Sequence, residues 1–276
     1  MVPTQVTLSP TGIIMLHSSP TEPKPRQPKS ILLIGPPGGG KTTLMMQFPK
    51  LFIIDCDENL DGPDDFLRRG RRNAQGKPLG KGVLPELDYW YDSVWRNPAG
   101  GRVPVEQAYI RLMALLDEAK RVDEIRTVGI DSLTHVNEFI IRMVLAEQGS
   151  GDVMEARDWI PFKSKFLNLL VSKIRGLGKD VICTVHETIV WEQDKKNIMV
   201  KTEKKYEPSV QGSVADYFGA FFTDMWRCEA RPGPGGQPNF VLTTTKTVKS
   251  DLKNSVGMPP EVVNPTFATL NNWLNL

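Results

Sequence analysis

The 276-residue chain has only three cysteines, Cys56, Cys183 and Cys228, far apart and odd in number. With no CxxC pair and no neighbouring pair of histidines, neither a disulfide framework nor a zinc site is expected, and the three thiols read as ordinary buried side chains. An excess of one charge is also lacking. Against 34 Lys and Arg stand 32 Asp and Glu, a net of +2, so total charge neither requires nor excludes nucleic acid and only local clusters can argue for it. No apolar run approaches the ~20 residues of a membrane span, and the N-terminus has no charged start followed by a long apolar core. The expectation is a cytoplasmic protein with no membrane partner. Hydrophobic content of 40% with 24% charged residues suits one large α/β domain with arms.

What is present is concentrated in Ile31 to Thr43, I-L-L-I-G-P-P-G-G-G-K-T-T. Gly35, four residues, then Gly40-Lys41-Thr42 complete the Walker A spelling, between an apolar run of strand length and a helix-compatible segment carrying Leu44, Met45 and Phe48. Gly38, Gly39 and Gly40 reach backbone angles closed to other residues, so successive N–H groups can turn inward around a polyphosphate. Gly35, Pro36, Pro37, Gly38, Gly39, Gly40, Lys41, Thr42 and Thr43 are the expected nucleotide-binding residues. Lys41 would reach the β- and γ-phosphates and Thr42 would place its hydroxyl on Mg²⁺. The helix opening at Lys41 would aim its positive dipole end at the same phosphates. ATP and Mg²⁺ are the expected cofactors.

Carboxylates belong near those phosphates. Leu51-Phe52-Ile53-Ile54 is a second buried strand that ends in Asp55-Cys56-Asp57-Glu58, at the ligand-binding edge of an open α/β sheet. Thr127-Val128-Gly129-Ile130 ends in Asp131, the Walker B pattern whose carboxylate holds Mg²⁺ directly or through water. Strands ending in Asp are common, so this reading leans on the preceding Walker A motif and on one intervening helix, Val105 to Val122, with Leu112, Leu115 and Leu116 on one face. Val181 to Val185 is a further strand, finishing at His186-Glu187. A lone His is more often structural, but one at a strand tip on this edge suits phosphate sensing.

The chain divides into a Pro-rich arm (1–29), a core (30–253) and a C-terminal segment with a short helix (254–276). The arm is either a disordered tail or a docking strand for a neighbouring subunit. Residues 61–104 read as an irregular, Gly- and Pro-rich basic insertion with no acid between Phe66 and Gly82, either a solvated loop or a contact surface. Thr188 to Lys201 looks like a β-excursion. There Trp191, Lys195, Lys196, Lys204 and Lys205, with Tyr206, offer the aromatic faces and cations that a single nucleic acid strand needs. Glu192, Asp194, Glu203 and Glu207 dilute that signal, and a plain exposed hairpin is the other reading. Phe221–Cys228 and Phe240–Thr245 form an antiparallel hairpin, followed by Lys246, Lys249 and Lys253.

Taken in order, G-P-P-G-G-G-K-T, I-D-C-D-E-N-L-D, V-G-I-D-S-L and V-I-C-T-V-H-E resemble the RecA-like recombinase ATPases, most closely the compact RecA-like nucleotide-binding proteins of bacteriophages, some of which anneal single strands. The likeness covers Ser30 to Lys253. It implies a RecA-like P-loop NTPase core of α/β class, with a mostly parallel sheet and an antiparallel C-terminal hairpin. It implies a Mg-dependent, DNA-stimulated ATPase acting on single-stranded DNA in phage recombination or replication, by annealing or strand exchange. The protein would assemble as a homo-oligomeric filament or ring, with single-strand-binding or replication proteins as further partners. The family's general base falls on Asp57 with Glu58 beside it; bacterial recombinases have Glu there, which leaves the choice between the two open. Lys41, Asp57, Glu58, Asp131 and His186 make up the implied catalytic set. Gln148–Trp159 and Thr188–Gln211 occupy the positions of two DNA-contacting loops. Lys246 and Lys249 follow the hairpin like family lysines that reach a neighbour's nucleotide, and with no acid before Asp251 they read as unpaired. A non-hydrolysing switch or scaffold is the alternative that the Asp57 departure keeps open. A P-loop small-molecule kinase would need an Arg-rich lid. An AAA+ loader would need an Arg finger and a helical lid for which the tail is short.

Overall fold

The computed structural model describes residues 6–8, 14–16, 26–69, 88–193, 201–211, 214, 218–234 and 238–274. In the Pro-rich arm, β1 (Val6–Leu8) pairs antiparallel with β2 (Ile14–Leu16) as a two-stranded sheet of its own. The arm therefore holds local β-structure where the sequence suggested a tail or a docking strand.

The core begins by alternating strand and helix: β3 (Ser30–Gly35), α1 (Lys41–Met45), β4 (Leu51–Asp55), α2 (Asp61–Arg69), β5 (Trp90–Ser93), α3 (Val105–Arg121), β6 (Thr127–Asp131) and α4 (Leu133–Gln148). After α5 (Trp159–Leu167) the helix loosens into a π-helical stretch, Asn168–Ile174, before β7 (Asp180–Gln193). Then come β8 (Lys201–Pro208), β9 (Asp224–Pro232), β10 (Pro238–Thr243), β11 (Glu261–Val263) and α6 (Phe267–Leu274).

Nine strands form one sheet in the order β11-β10-β9-β3-β7-β6-β4-β5, with β8 paired to β7 off that path. β9, β3, β7, β6, β4 and β5 are mutually parallel, while β8, β10 and β11 run antiparallel to their neighbours. Because side chains alternate along a strand, β3 serves two cores at once. Ile31 and Leu33 join Leu44, Met45 and Leu270 on the α1 and α6 side, while Leu32 and Ile34 join Leu112, Phe139 and Phe166 on the side of α3, α4 and α5. The outcome is the α/β class expected, a mostly parallel sheet between two helical layers with an antiparallel extension toward the C-terminus. The three cysteines are buried thiols. Among the described residues, no helix is long and apolar enough to cross a membrane.

Two expectations change. The stretch 61–104, read as irregular, supplies helix α2 and edge strand β5, which runs parallel to β4 with Phe52 opposite Trp90. Its regularity was hidden because β5 is four residues long with Trp90 and Tyr91 exposed, and α2 buries only Leu67. Residues 70–87, with most of the basic run, lie outside the described residues. Second, the excursion after His186 is not a separate element. β7 is 14 residues long and, past His186, pairs antiparallel with β8, with a register shift between Val190 and Trp191. Lys195 and Lys196 lie outside the described residues.

Candidate nucleotide-binding site

Parallel register gathers the polar strand ends along one edge of the sheet. Gly35 lies opposite His186 across β3 and β7, and Asp55 opposite Asp131 across β4 and β6. Residues 36–40 connect β3 to α1 as the phosphate loop. Gly40, at φ 87°, caps α1, and a Cβ there would meet the Phe240 ring at 2.8 Å. At Gly35 the constraint is a close approach, because a Cβ would stand 2.0 Å from the Cys228 carbonyl oxygen of β9. Gly35→Ala should therefore push β9 away from the loop and cost about 3 kcal/mol, the upper range for overpacking. A lower urea midpoint together with weaker nucleotide binding is the expected result, and wild-type values for both would count against this packing. Helix α1 is only five residues long, so the loop amides rather than a helix dipole supply most of the positive field.

Lys41 is 6% exposed, and its ammonium donates to the carbonyls of Gly35 and Pro36, each at 2.9 Å. Burial lowers its pKa, against the opposing pull of nearby Cys228, Asp131, Glu187 and Asp57. The Thr42 hydroxyl donates to Asp131 Oδ2 at 2.6 Å. The other oxygen, Oδ1, accepts from the hydroxyl of Thr184 on β7. Asp131 is 3% exposed and thus fixed from both sides.

This pair fits Mg²⁺. A Mg²⁺ ion keeps several waters and takes one or two protein oxygens plus phosphate oxygens, rather than a dedicated cage of carboxylates. A hydroxyl and a carboxylate in contact beside the loop supply that kind of donor set. No cluster of three or more His, Cys, Asp or Glu suited to a metal occurs among the described residues. Held there, Mg²⁺ would neutralise charge on the phosphates.

Asp57 and Glu58 separate clearly. Asp55 Oδ1 accepts from the backbone N–H groups of Asp57 (3.3 Å) and Glu58 (2.9 Å), which turns the chain sharply after β4. Asp57 Oδ1 is buried and has no hydrogen-bond partner among the described residues. Burial, then the charges of Asp131 and Asp55, push its pKa up to about 7. Glu58, at φ 56°, turns outward to Arg102 at 2.8 Å. Arg102 in turn lies over the Trp95 ring at 4.5 Å, and Trp95 Nε1 donates to the Cys56 carbonyl. The stretch after β5 thereby buttresses the Asp57 turn.

His186 donates its backbone N–H to Thr134 Oγ1 at 2.9 Å, and its ring stands edge-on to His135 with centroids 6.3 Å apart. Burial, with help from Lys41 and His135, holds its pKa below the ordinary imidazole value. The adjacent Glu187 is bidentate with Arg227 of β9, at 2.8 and 2.9 Å, and Arg227 lies 4.2 Å over the Tyr206 ring of β8.

The lysines outside the loop fare differently. Lys246 pairs with Asp251 at 2.7 Å, so the reading of an unpaired charge is corrected. The chain from 246 to 251 bends back on itself, which sequence distance did not reveal. Lys249 Nζ sits 5.7 Å from the Tyr206 ring. Lys205, a candidate cation for nucleic acid, bridges Asp251 (2.8 Å) and Glu207 (3.3 Å), the latter one of the acids expected to weaken that role. Lys204 is exposed on β8, and Trp191 is 52% exposed on β7. Thr184, Trp95, Arg102 and Arg227 were given no role by the sequence, since their partners are set by strand order and chain reversal rather than by local spelling, whereas Asp55 was already grouped with the carboxylates near the phosphates.

The AAA domain family matches residues 27–256. A search of curated proteins gives no match. Among solved structures, the flagellar accessory protein FlaH from Methanocaldococcus jannaschii is similar over 86% of this chain and 84% of its own, with 13% identity and a TM-score of 0.40. The family bears the AAA name although, among the described residues, the chain beyond β10 forms only β11 and the single helix α6 and no helical lid. The match covers the whole nucleotide-binding core from before β3 to beyond β10, and the chain belongs to the AAA domain family of P-loop ATPase-type proteins.

Proposed function

We propose that the protein is a Mg²⁺-dependent ATPase whose turnover is coupled to single-stranded DNA, serving phage recombination or replication. One observation carries the coupling. β7 continues from His186, beside Gly35 of the phosphate loop, through a register shift after Val190 to the half-exposed Trp191 of the hairpin. A shift of His186 on phosphate binding or loss therefore moves the strand that presents Trp191. In the chemical step Asp57 accepts a proton from the attacking water, Lys41 offsets charge on the phosphates, and His186 reports their presence. The resemblance to RecA-like phage proteins supplies the biological setting. It also supports a ring or filament in which Lys246 and Lys249 approach a neighbour's nucleotide, with Lys246 exchanging Asp251 for phosphate.

Trp191→Ala tests the coupling. Base stacking contributes about 1–3 kcal/mol, so affinity for oligothymidine should fall about tenfold or more with no change in salt dependence, since stacking releases no counterions. Stimulation of ATP turnover by that oligonucleotide should fall in parallel. Unchanged affinity and unchanged stimulation would remove the hairpin from the account.

A further inference from the structure

The opposite edge of the sheet carries a pattern that no motif announces. Lys29 immediately precedes β3, Lys179 precedes β7, Arg126 precedes β6 and Lys50 precedes β4. β7, β6 and β4 are consecutive in the sheet and their register lays Lys179, Arg126 and Lys50 side by side at its trailing edge, while Lys29 falls one residue further in, level with Asp180, with its ammonium donating to Ser255 Oγ at 3.2 Å. Neighbouring strands are about 4.8 Å apart, which makes a row of three cations about 10 Å long at the backbone. Backbone hydrogen bonds fix it: Arg126 N and Thr127 N donate to the Lys50 carbonyl, Asp180 N to the Arg126 carbonyl, and Val181 N to the Lys29 carbonyl.

Beside the row lies a cavity of about 440 Å³ whose lining includes Arg26, Lys50, Lys120, Arg126 and Lys179, five cations, against the carboxylates of Asp123 and Asp180. Asp180 is already engaged by Arg26 at 2.6 Å and by the Lys29 N–H at 2.9 Å. Lys179 donates to the carbonyls of Val122 and Ile125, which places it without neutralising it. Lys50, Lys120 and Arg126 are exposed, and among the described residues no ion pair is formed by their side chains. Asp123 and Glu124, on the turn between α3 and β6, are the remaining acids nearby in the chain. Cations outnumber them, and cations held unpaired in a row attract a polyanion of regular charge spacing more than a single ion.

We infer that this trailing edge is a second nucleic-acid surface, one that takes the phosphodiester backbone of a strand without reading its bases. β3 is six residues long, so the row lies about 20 Å from the phosphate loop and binding there leaves the nucleotide site open. The inference goes beyond the hairpin coupling and does not depend on it. A protein with both surfaces can hold two strands at once.

The test is a salt titration of labelled oligothymidine binding to the full chain. The variant is Lys50→Glu, Lys120→Glu, Arg126→Glu, with Lys50→Gln, Lys120→Gln, Arg126→Gln as a milder version and thermal midpoints as the fold control. Once three phosphates are no longer neutralised, the slope of log K against log salt should flatten by about 2 and affinity at low salt should fall about tenfold or more. Trp191→Ala should lower affinity without touching the slope, so the two surfaces fail separately. A folded variant with wild-type slope and affinity would overturn the inference, as would a wild-type protein that binds no oligothymidine at low salt.

Discussion

Lys41→Ala is expected to abolish tight ATP binding in a protein that still folds. The ammonium is buried inside the loop, where each charge-assisted hydrogen bond to a phosphate oxygen contributes about 1.5–3 kcal/mol. Losing two such bonds amounts to at least about 3 kcal/mol, more than a hundredfold in Kd. The fold should survive, because among the described residues the Lys41 ammonium hydrogen-bonds only the loop carbonyls of Gly35 and Pro36 while the apolar neighbours Leu44 and Met45 anchor α1. Calorimetric titration with ATP and Mg²⁺, alongside a thermal melt, reads both halves. A folded variant with wild-type affinity would show that the loop is not the phosphate site.

Asp57→Asn should reduce kcat by about a hundredfold or more while leaving ATP affinity nearly unchanged, as expected when a water-orienting base is removed. Glu58→Gln should cost far less, because Glu58 is turned away to Arg102. The pKa of Asp57 near 7 adds a signature. The carboxyl is protonated and inactive below that value and ionised above it. The kcat/KM of the free enzyme should therefore rise with pH through about 7 and level off, and Asp57→Asn should remove that limb. Stability should move in the opposite direction. A carboxyl whose pKa is raised on folding binds its proton more tightly in the native state between its unfolded value, about 4, and 7. Its contribution is therefore present at low pH and is lost as pH rises through that window. If Glu58→Gln loses turnover and Asp57→Asn does not, the assignment is reversed.

The phosphate loop was legible because Walker A chemistry is local: glycine angles, a lysine and a hydroxyl within one turn of chain. The buried strands β3, β4, β6 and the first half of β7 were legible as short apolar runs ending in polar residues. What escaped depends on strand order. Thr184 grips Asp131 only because β7 lies directly beside β6, with Cys183 opposite Ile130. Nothing in V-I-C-T-V-H-E says which neighbour that strand will have. Arg102 and Trp95 were invisible for a related reason. Their role is to support the Asp57 turn from a Gly-rich stretch with no periodicity, and β5 has too few buried side chains to announce itself. Lys246 and Lys205 show the opposite failure. Charge counting along the chain left Lys246 free and offered Lys205 only the local acids Glu203 and Glu207, whereas chain reversal brings Asp251 between the two lysines. Lys179, Arg126 and Lys50, at the starts of three different strands, form a row only once the sheet is assembled.

The central claim is that this P-loop site hydrolyses ATP and that a single strand controls the rate. Steady-state phosphate release at saturating ATP and Mg²⁺, with and without oligothymidine, tests it most directly. The account predicts turnover that oligothymidine raises and that Asp57→Asn removes under both conditions. ATP binding with no phosphate release, whether or not DNA is present, would contradict it and make the protein a nucleotide-dependent switch.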